Sequence, residues 1–207
     1  MREDPEIVAL GYHPPGVLNA YVNDCLRGEE KSARFNNYLN LMNFAIPSSE
    51  ATPQRLADFL LDLSIIVYTA SEVRNDFFLL HGVTGTWSLV QVLNRFPESA
   101  VREKYKALRV MANYLLVTYA GQDRPKLVPS QLENPNVTNI SFSEIIQRAM
   151  KYDYETHIFK LIHVCFYAAK KYPQNEMLYK SAALSAIEND LVNLTVTVQK
   201  LQSLGLN

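Results

Sequence analysis

The sequence predicts an all-α protein: a single bundle-like domain of about seven to eight helices that takes up residues 1–207. Apolar residues recur at intervals of three and four along nearly the whole chain, and no strand-length stretch alternates with a period of two. With 207 residues, 48% of them hydrophobic, the chain can form one sizeable core but is marginal for two.

The charge and the cysteine content argue against some classes of function and indicate where the protein is located. A formal net charge of -1 and a pI near 6.4 leave no basic surplus for phosphates, so nucleic acid is not an expected partner. Cys25 and Cys165 have no metal-ligand or CxxC spacing, and we expect buried, reduced thiols. The first residues do not resemble a signal peptide. These features predict a cytoplasmic protein.

Start and stop signals divide the chain into helices. Thr52 and Pro53 form a hydroxyl cap followed by a first-turn proline, and Ser141 and Glu144 have the spacing of a capping box. Proline-rich residues 122–139 carry no helical stripe and predict a long irregular loop. The predicted helices are residues 17–26, 31–44, about five turns from Pro53, the uncharged segment after Asp76, Pro97 to about Gly121, 142 to about 151, about 154–171, and a last helix through Leu201.

Residues 77–94 contain no Asp, Glu, Lys or Arg, so the segment must be tested as a membrane span. It also holds a histidine, two glycines and several hydroxyl groups, which are unfavourable in lipid. We therefore predict a helix surrounded by protein, and no membrane partner. Gly82 and Gly85 each cost about 1 kcal/mol relative to alanine in a helix, which suggests that another helix or a ligand approaches closely there.

Two groups of residues could carry chemistry. His81 lies within the uncharged helix, and Asp153, His157 and Lys160 would stack on one face of a later helix. In that arrangement the aspartate would orient the imidazole as a general base, and the ammonium would stabilise an oxyanion. The structural alternatives are a core histidine at 81, and a capping Asp153 beside a solvated ionic face. His163 precedes an apolar run and is predicted to be structural.

Asp76 and the residues around the two histidines bear on helix capping and metal binding. Asp76 could simply cap the helix that follows it. No Glu or His stands three or four residues from His81 or His157, so no metal site is predicted.

The last predicted helix has the most regular apolar repeat in the chain. Its members are Leu184, Ile187, Leu191, Leu194, Val198 and Leu201. A seam of this kind packs along another helix, either within the bundle or in a homodimer.

Residues 75–84, Asn-Asp-Phe-Phe-Leu-Leu-His-Gly-Val-Thr, resemble the Trp-Asp-Phe-Phe-x-x-His-x-Val-Thr block of the questin oxidase-like family. Residues 153–160 resemble its late Asp-x-His-x-x-Lys block, with one extra residue before His157, and residues 115–125 share the family's character. Asn75 stands where the family commonly has Trp. The resemblance is to the C-terminal half of longer proteins, so we expect a C-terminal part of such a protein.

The resemblance implies an oxidoreductase that performs Baeyer–Villiger oxidation of an aromatic polyketide or another bulky, hydrophobic ketone with NADPH and oxygen. It implies acid/base or positioning roles for His81 and His157, with Lys160 as an electrostatic partner and Asp153 beside them. The substrate-binding residues that we expect are Asp76, Phe77 and Thr84 of the first block, together with Trp87, which follows three residues after it. A flavin would normally deliver the oxygen, but the sequence has no dinucleotide fingerprint that would locate a flavin or NADPH.

Two other functions compete with this hypothesis. One is a non-catalytic interaction module that dimerises through the Leu184–Leu201 seam. The other is a carrier of lipids or hydrophobic ligands, suggested by 12 Tyr, 9 Phe and many aliphatic residues, although a core also explains these.

Overall fold

A computed structural model describes residues 3–10, 22, 25, 27, 29–41, 52–151, 156–189 and 191. These ranges form helices and no β-strand, with one isolated antiparallel bridge between Ser71 and Leu127. The predicted all-α class is confirmed. The helices are α1 (Pro5–Leu10), α2 (Glu29–Leu41), α3 (Pro53–Ala70), α4 (Phe77–Leu93), α5 (Val101–Gly121), α6 (Phe142–Ala149), α7 (Thr156–Lys171) and α8 (Glu176–Glu188).

The helix starts predicted at Thr52 and Ser141 are confirmed by their caps. The Thr52 hydroxyl accepts a hydrogen bond from the Arg55 backbone N–H at 3.2 Å, and the Ser141–Glu144 capping box is complete. The start predicted at Pro97 is wrong, because residues 97–100 form a turn closed by a backbone bond from Ala100 to Pro97 and α5 begins only at Val101. The helix predicted at 17–26 lies mostly outside the described residues.

Helix α3 lies at the centre of the bundle, where it packs against α4, α5 and α8, and α7 packs along α8. Its inward residues include Leu60, Leu61 and Ile65, which are fully buried. Burial of such side chains stabilises a fold by about 1.5–3 kcal/mol each. Helix α4 is enclosed along most of its length, as predicted, although Ser88, Gln91 and Val92 near its end are exposed. None of the described helices has the length and hydropathy needed to cross a membrane.

The predicted irregular loop is confirmed as irregular but is packed and hydrogen-bonded. It contains short 3-10 helices at Pro129–Leu132 and Pro135–Asn139, and Val137 is buried in the main core. Backbone bonds join it to the corner after α3, from Glu72 to Lys126 at 2.8 Å and from Val128 to Ala70 at 2.6 Å.

The prediction that the last helix runs through Leu201 is wrong. Helix α8 ends at Glu188, and Asn189 is extended with φ -129° and ψ 142°. The Asn75 side-chain amide donates to the carbonyls of Ala186 at 3.2 Å and Asn189 at 2.8 Å. The two carbonyl oxygens therefore have hydrogen-bond donors at the end of the helix. Without them, the backbone N–H groups of a further helical turn would be the usual donors. Of the predicted seam, Leu194, Val198 and Leu201 lie outside the described residues.

The corner between α3 and α4 is formed by Asn75 and Asp76, both almost completely buried. Asn75 has a left-handed backbone with φ 51°, a conformation that asparagine tolerates better than most residues. Its side-chain oxygen accepts a bond from the Tyr68 hydroxyl at 2.8 Å, and burial raises the pKa of that phenol. Asp76 caps α4 by accepting bonds from Phe78 and Leu79 at 2.8 and 2.9 Å. This Asn75–Asp76 corner joins α3, α4 and α8.

We expect Asn75→Ala to lower the free energy of unfolding by about 2–4 kcal/mol, because it leaves the Tyr68 hydroxyl and two carbonyls unpaired and places alanine in a left-handed conformation. Asn75→Gly removes the same hydrogen bonds without the backbone penalty and should be less destabilising. Urea denaturation of both variants separates the loss of the hydrogen bonds from the cost of the left-handed backbone. An Asn75→Ala variant within about 0.5 kcal/mol of wild type would show that the corner does not hold the helices.

A second polar contact joins α3 to α8 and the short 3-10 helix before it. The Asp62 carboxylate accepts bonds from the Tyr179 hydroxyl at 2.7 Å and the Asn175 side-chain amide at 2.8 Å. Burial raises the pKa of Asp62, and the neighbouring Asp58 adds to the rise, whereas the two hydrogen bonds oppose it. Burial also raises the pKa of Tyr179, which therefore remains a hydrogen-bond donor.

Because the folded-state pKa of Asp62 lies above its ordinary value of 3.8, the folded protein binds this proton more tightly than the unfolded chain. The stabilisation that comes from protonated Asp62 is fully present below pH 3.8, and it is lost as the pH rises through the folded-state pKa. The stability of wild type relative to Asp62→Asn should therefore fall as the pH is raised from about 4 toward 7. Urea denaturation at each pH gives this difference; a constant or rising difference contradicts the assignment.

Candidate active site

Two histidines that are distant in the sequence lie side by side in the fold. His81 on α4 and His157 on α7 have ring centroids 5.0 Å apart. Phe77 packs against both, with centroid distances of 4.3 Å to His81 and 4.7 Å to His157. The convergence arises because α4 packs along α7 and because Phe77 and His81 are one helical turn apart.

A backbone contact sets the orientation of the His81 ring. Its Nδ1 lies 2.7 Å from the backbone carbonyl oxygen of Phe77. Because a carbonyl oxygen only accepts, Nδ1 must carry a hydrogen, and in the neutral ring Nε2 then holds the lone pair. The neutral imidazole is thus held in the tautomer whose Nε2 can act as a base.

His81 lines an open cleft of about 930 Å³ between α4, α5 and α7. Apart from Gly85 and Val164, the residues along the cleft are aromatic, hydroxyl-bearing, amide-bearing or basic, and none of them is acidic. They include Thr84, Trp87, Ser88, Gln91, Tyr114, Phe159, Lys160 and His163. The cleft therefore combines flat apolar surfaces with groups that can donate hydrogen bonds to an oxygen-rich or anionic molecule.

The structure brings some of the predicted site residues together and separates others. Thr84, Trp87 and Lys160 line the cleft beside His81, and Lys160 is exposed. Phe77 contacts the two histidine rings. His157 lies beside His81 but is not part of the cleft lining.

Two predicted residues do not join this group. Asp76 is buried as the cap of α4, which agrees with the structural alternative for this residue. Asp153 lies outside the described residues.

His163 and Tyr114 are among the lining residues that were missed by the sequence reasoning. His163 was predicted to be structural, but it is exposed and lines the cleft. Its spacing of three residues from Lys160 on the same helix was a usable signal. Tyr114 comes from α5, and burial raises the pKa of its phenol. Nothing in the sequence shows that this face of α5 meets α4.

The two glycines of α4 have different surroundings. A Cβ added at Gly82 would lie 3.0 Å from Cδ2 of Leu115, so this glycine permits the close approach of α5. A Cβ added at Gly85 would meet no atom within 4 Å, and this position opens into the cleft. The predicted close approach is confirmed at Gly82, where the approaching group is a helix.

The described residues include no group of three or more His, Cys, Asp or Glu side chains that could hold a metal ion. They also contain no glycine-rich turn that leads into a helix beside the cleft, because Gly85 lies inside α4. A dinucleotide pyrophosphate usually needs such a turn. No step of the chemistry below is assigned to NADPH or a flavin.

The fold and site define an all-α protein with a histidine-lined aromatic cleft between three helices. The sequence profile of the Questin oxidase-like family matches residues 3–165, which is most of the chain. The protein belongs to the Questin oxidase-like family, and the kind of function that goes with this family is oxidoreduction. Comparisons with curated proteins and with solved structures found no match.

Proposed function

We propose that the cleft binds a bulky aromatic ketone and that the protein oxidises it by a Baeyer–Villiger reaction. The observation that carries this proposal is the position of His81, whose ring is oriented by a backbone carbonyl and faces a cleft with aromatic walls. Family membership supports oxidoreductase chemistry. The ketone substrate and the use of NADPH and oxygen are what resemblance to questin oxidase implies.

The size and lining of the cleft suit a polycyclic substrate. Its volume of about 930 Å³ lies near the upper end of the ordinary range for small-molecule sites. Trp87, Tyr114 and Phe159 offer aromatic surfaces, and flat ring systems pack well against such side chains. The hydroxyl and amide groups between them can fix the orientation of substrate oxygens.

The roles of the basic residues follow from the charge that develops in the reaction. When the terminal oxygen of a hydroperoxide adds to the carbonyl carbon, the carbonyl oxygen becomes an oxyanion. The Lys160 ammonium can stabilise that charge from the exposed side of the cleft. The C=O bond then re-forms as a neighbouring carbon migrates to the added oxygen and the O–O bond breaks. His81 can accept the hydroperoxide proton at Nε2 and return it to the oxygen that leaves when the O–O bond breaks.

His157 acts as a positioning residue in this proposal. Its ring packs against both His81 and Phe77 at 5.0 and 4.7 Å, and so it supports the His81 ring from the side. Displacement of a catalytic group by about 1 Å can lower a rate about 100-fold. The packing of His157 therefore contributes to turnover without contact to the substrate.

The competing interaction-module hypothesis has less support. Leu184 and Ile187, the first two members of the seam, are buried in the protein's own core, and Leu191 packs against that core. This part of the seam is already used within the fold. Homodimerisation remains a prediction.

The test is oxygen insertion into a panel of polycyclic aromatic ketones by the full chain with NADPH and oxygen, detected by mass spectrometry. We expect His81→Asn to lower kcat by about 100- to 10,000-fold, because asparagine can keep the bond to the Phe77 carbonyl but lacks a base at the Nε2 position. His157→Ala should lower kcat, and His157→Phe, which restores a ring, should recover part of the loss.

Lys160→Ala should lower kcat about 100- to 1,000-fold. Lys170→Ala is its matched control, because Lys170 is exposed on the same helix and lies over the Phe166 ring at 4.2 Å, away from the cleft lining. Wild-type rates for both His81→Asn and Lys160→Ala would refute the proposed chemistry.

Substrate binding can be followed separately from turnover. Trp87 is the single tryptophan of the sequence, so its fluorescence reports occupation of the cleft. A ketone that the protein oxidises should quench this fluorescence in wild type and in His81→Asn alike. Oxidation without any change in Trp87 fluorescence would place the site elsewhere.

A further inference from the structure

A second cavity lies on a different face of α4 from the cleft. It has a volume of about 220 Å³ and is enclosed by α3, α4 and α5. Its walls are almost entirely aliphatic, with Leu60, Leu79, Leu115 and Leu116 among them, and Gly82 forms part of the lining. We call this space the apolar cavity.

Most polar side-chain atoms around the apolar cavity already have partners. The Ser64 hydroxyl donates to the Leu61 carbonyl at 2.7 Å, and the Tyr119 hydroxyl donates to the Pro125 carbonyl at 2.9 Å. Thr118 is one of the lining residues and is only 1% exposed, and its hydroxyl has no hydrogen-bond partner in the described part of the chain. It lies near enough to Tyr114 to lower the pKa of that phenol in part, but the two groups do not meet hydrogen-bond geometry.

Water is a poor occupant of such a space. A buried water needs two to four polar partners, and the apolar cavity offers one unpaired hydroxyl. Leaving that hydroxyl unpaired is unfavourable, since a buried group without a partner retains its full desolvation penalty. A ligand that is mostly apolar and carries one hydrogen-bonding group would match the apolar walls and would also give the hydroxyl a partner.

We propose that the apolar cavity is a binding site for a small apolar organic molecule of about two fused rings that carries one hydroxyl or carbonyl group bonded to Thr118. Apolar cavities of about 150 Å³ bind benzene, so a volume of about 220 Å³ accommodates a larger ring system. The cavity lining includes Leu127, which is 36% exposed, so a ligand can enter from that side. The site is independent of the proposed oxidation, because its lining does not include the residues assigned to the reaction.

Isothermal titration of the full chain with naphthalene and 1-naphthol tests this site. We expect both probes to bind, with 1-naphthol about 2- to 12-fold tighter because only it bonds to Thr118. Thr118→Val, which keeps the side-chain shape, should abolish this preference and leave naphthalene binding unchanged, whereas Thr118→Ser should keep the preference.

Two further variants serve as controls. Thr69→Val removes another buried, unpartnered hydroxyl outside the cavity and should keep the preference for 1-naphthol. Val67→Phe projects a ring into the cavity and should abolish binding of both probes while circular dichroism shows a folded protein.

Three results overturn the proposal: no binding of either probe to folded wild type, a preference that survives Thr118→Val, or binding that survives Val67→Phe. Binding that survives Val67→Phe counts against the cavity only where it leaves Trp87 fluorescence unchanged, because a probe bound in the cleft would quench that fluorescence.

Discussion

The arrangement of the helices depends on the Asn75–Asp76 corner. Asn75 is fully buried in a left-handed conformation, and its amide binds the Tyr68 hydroxyl of α3 and two carbonyls at the end of α8. The next residue, Asp76, binds the first free N–H groups of α4. Two adjacent side chains thus fix where one helix starts, where another ends and how a third is held. The direction of α4 in turn determines where His81 lies.

Helix α4 separates two spaces of different chemistry. One face carries His81, Thr84 and Trp87 into a wide cleft with basic and aromatic walls. Another face carries Leu79 and Gly82 toward the apolar cavity, where a Cβ at residue 82 would crowd the Leu115 side chain of α5. The absence of charge along α4 follows from this position, because the helix is surrounded by protein on most sides and borders the two spaces on the others. We propose that catalysis takes place in the cleft and that the apolar cavity binds a ligand without chemistry.

The sequence predicted the class of fold, the Thr52 and Ser141 caps and the enclosed state of α4, because helical periodicity and capping are local properties. It also selected His81, Thr84, Trp87 and Lys160, which the structure brings to one cleft. The sequence-based predictions were wrong or incomplete where contacts between distant residues determine the structure. The apolar repeat continues past Glu188, but the helix stops there because Asn75, more than a hundred residues earlier, binds its final carbonyls. Tyr114 and the Thr118 hydroxyl could not be assigned, because the face of α5 that meets α4 is set by tertiary packing.

The central claim is that the corner positions His81 against His157. Nuclear Overhauser effects between the ring protons of the two histidines test this contact most directly, because such effects are seen only over short distances and the centroids are 5.0 Å apart. We predict cross-peaks between the two imidazoles, and from both rings to Phe77, in wild type and their weakening in Asn75→Gly. Absence of these cross-peaks in folded wild-type protein, or cross-peaks of unchanged strength in Asn75→Gly, would contradict this role of the corner.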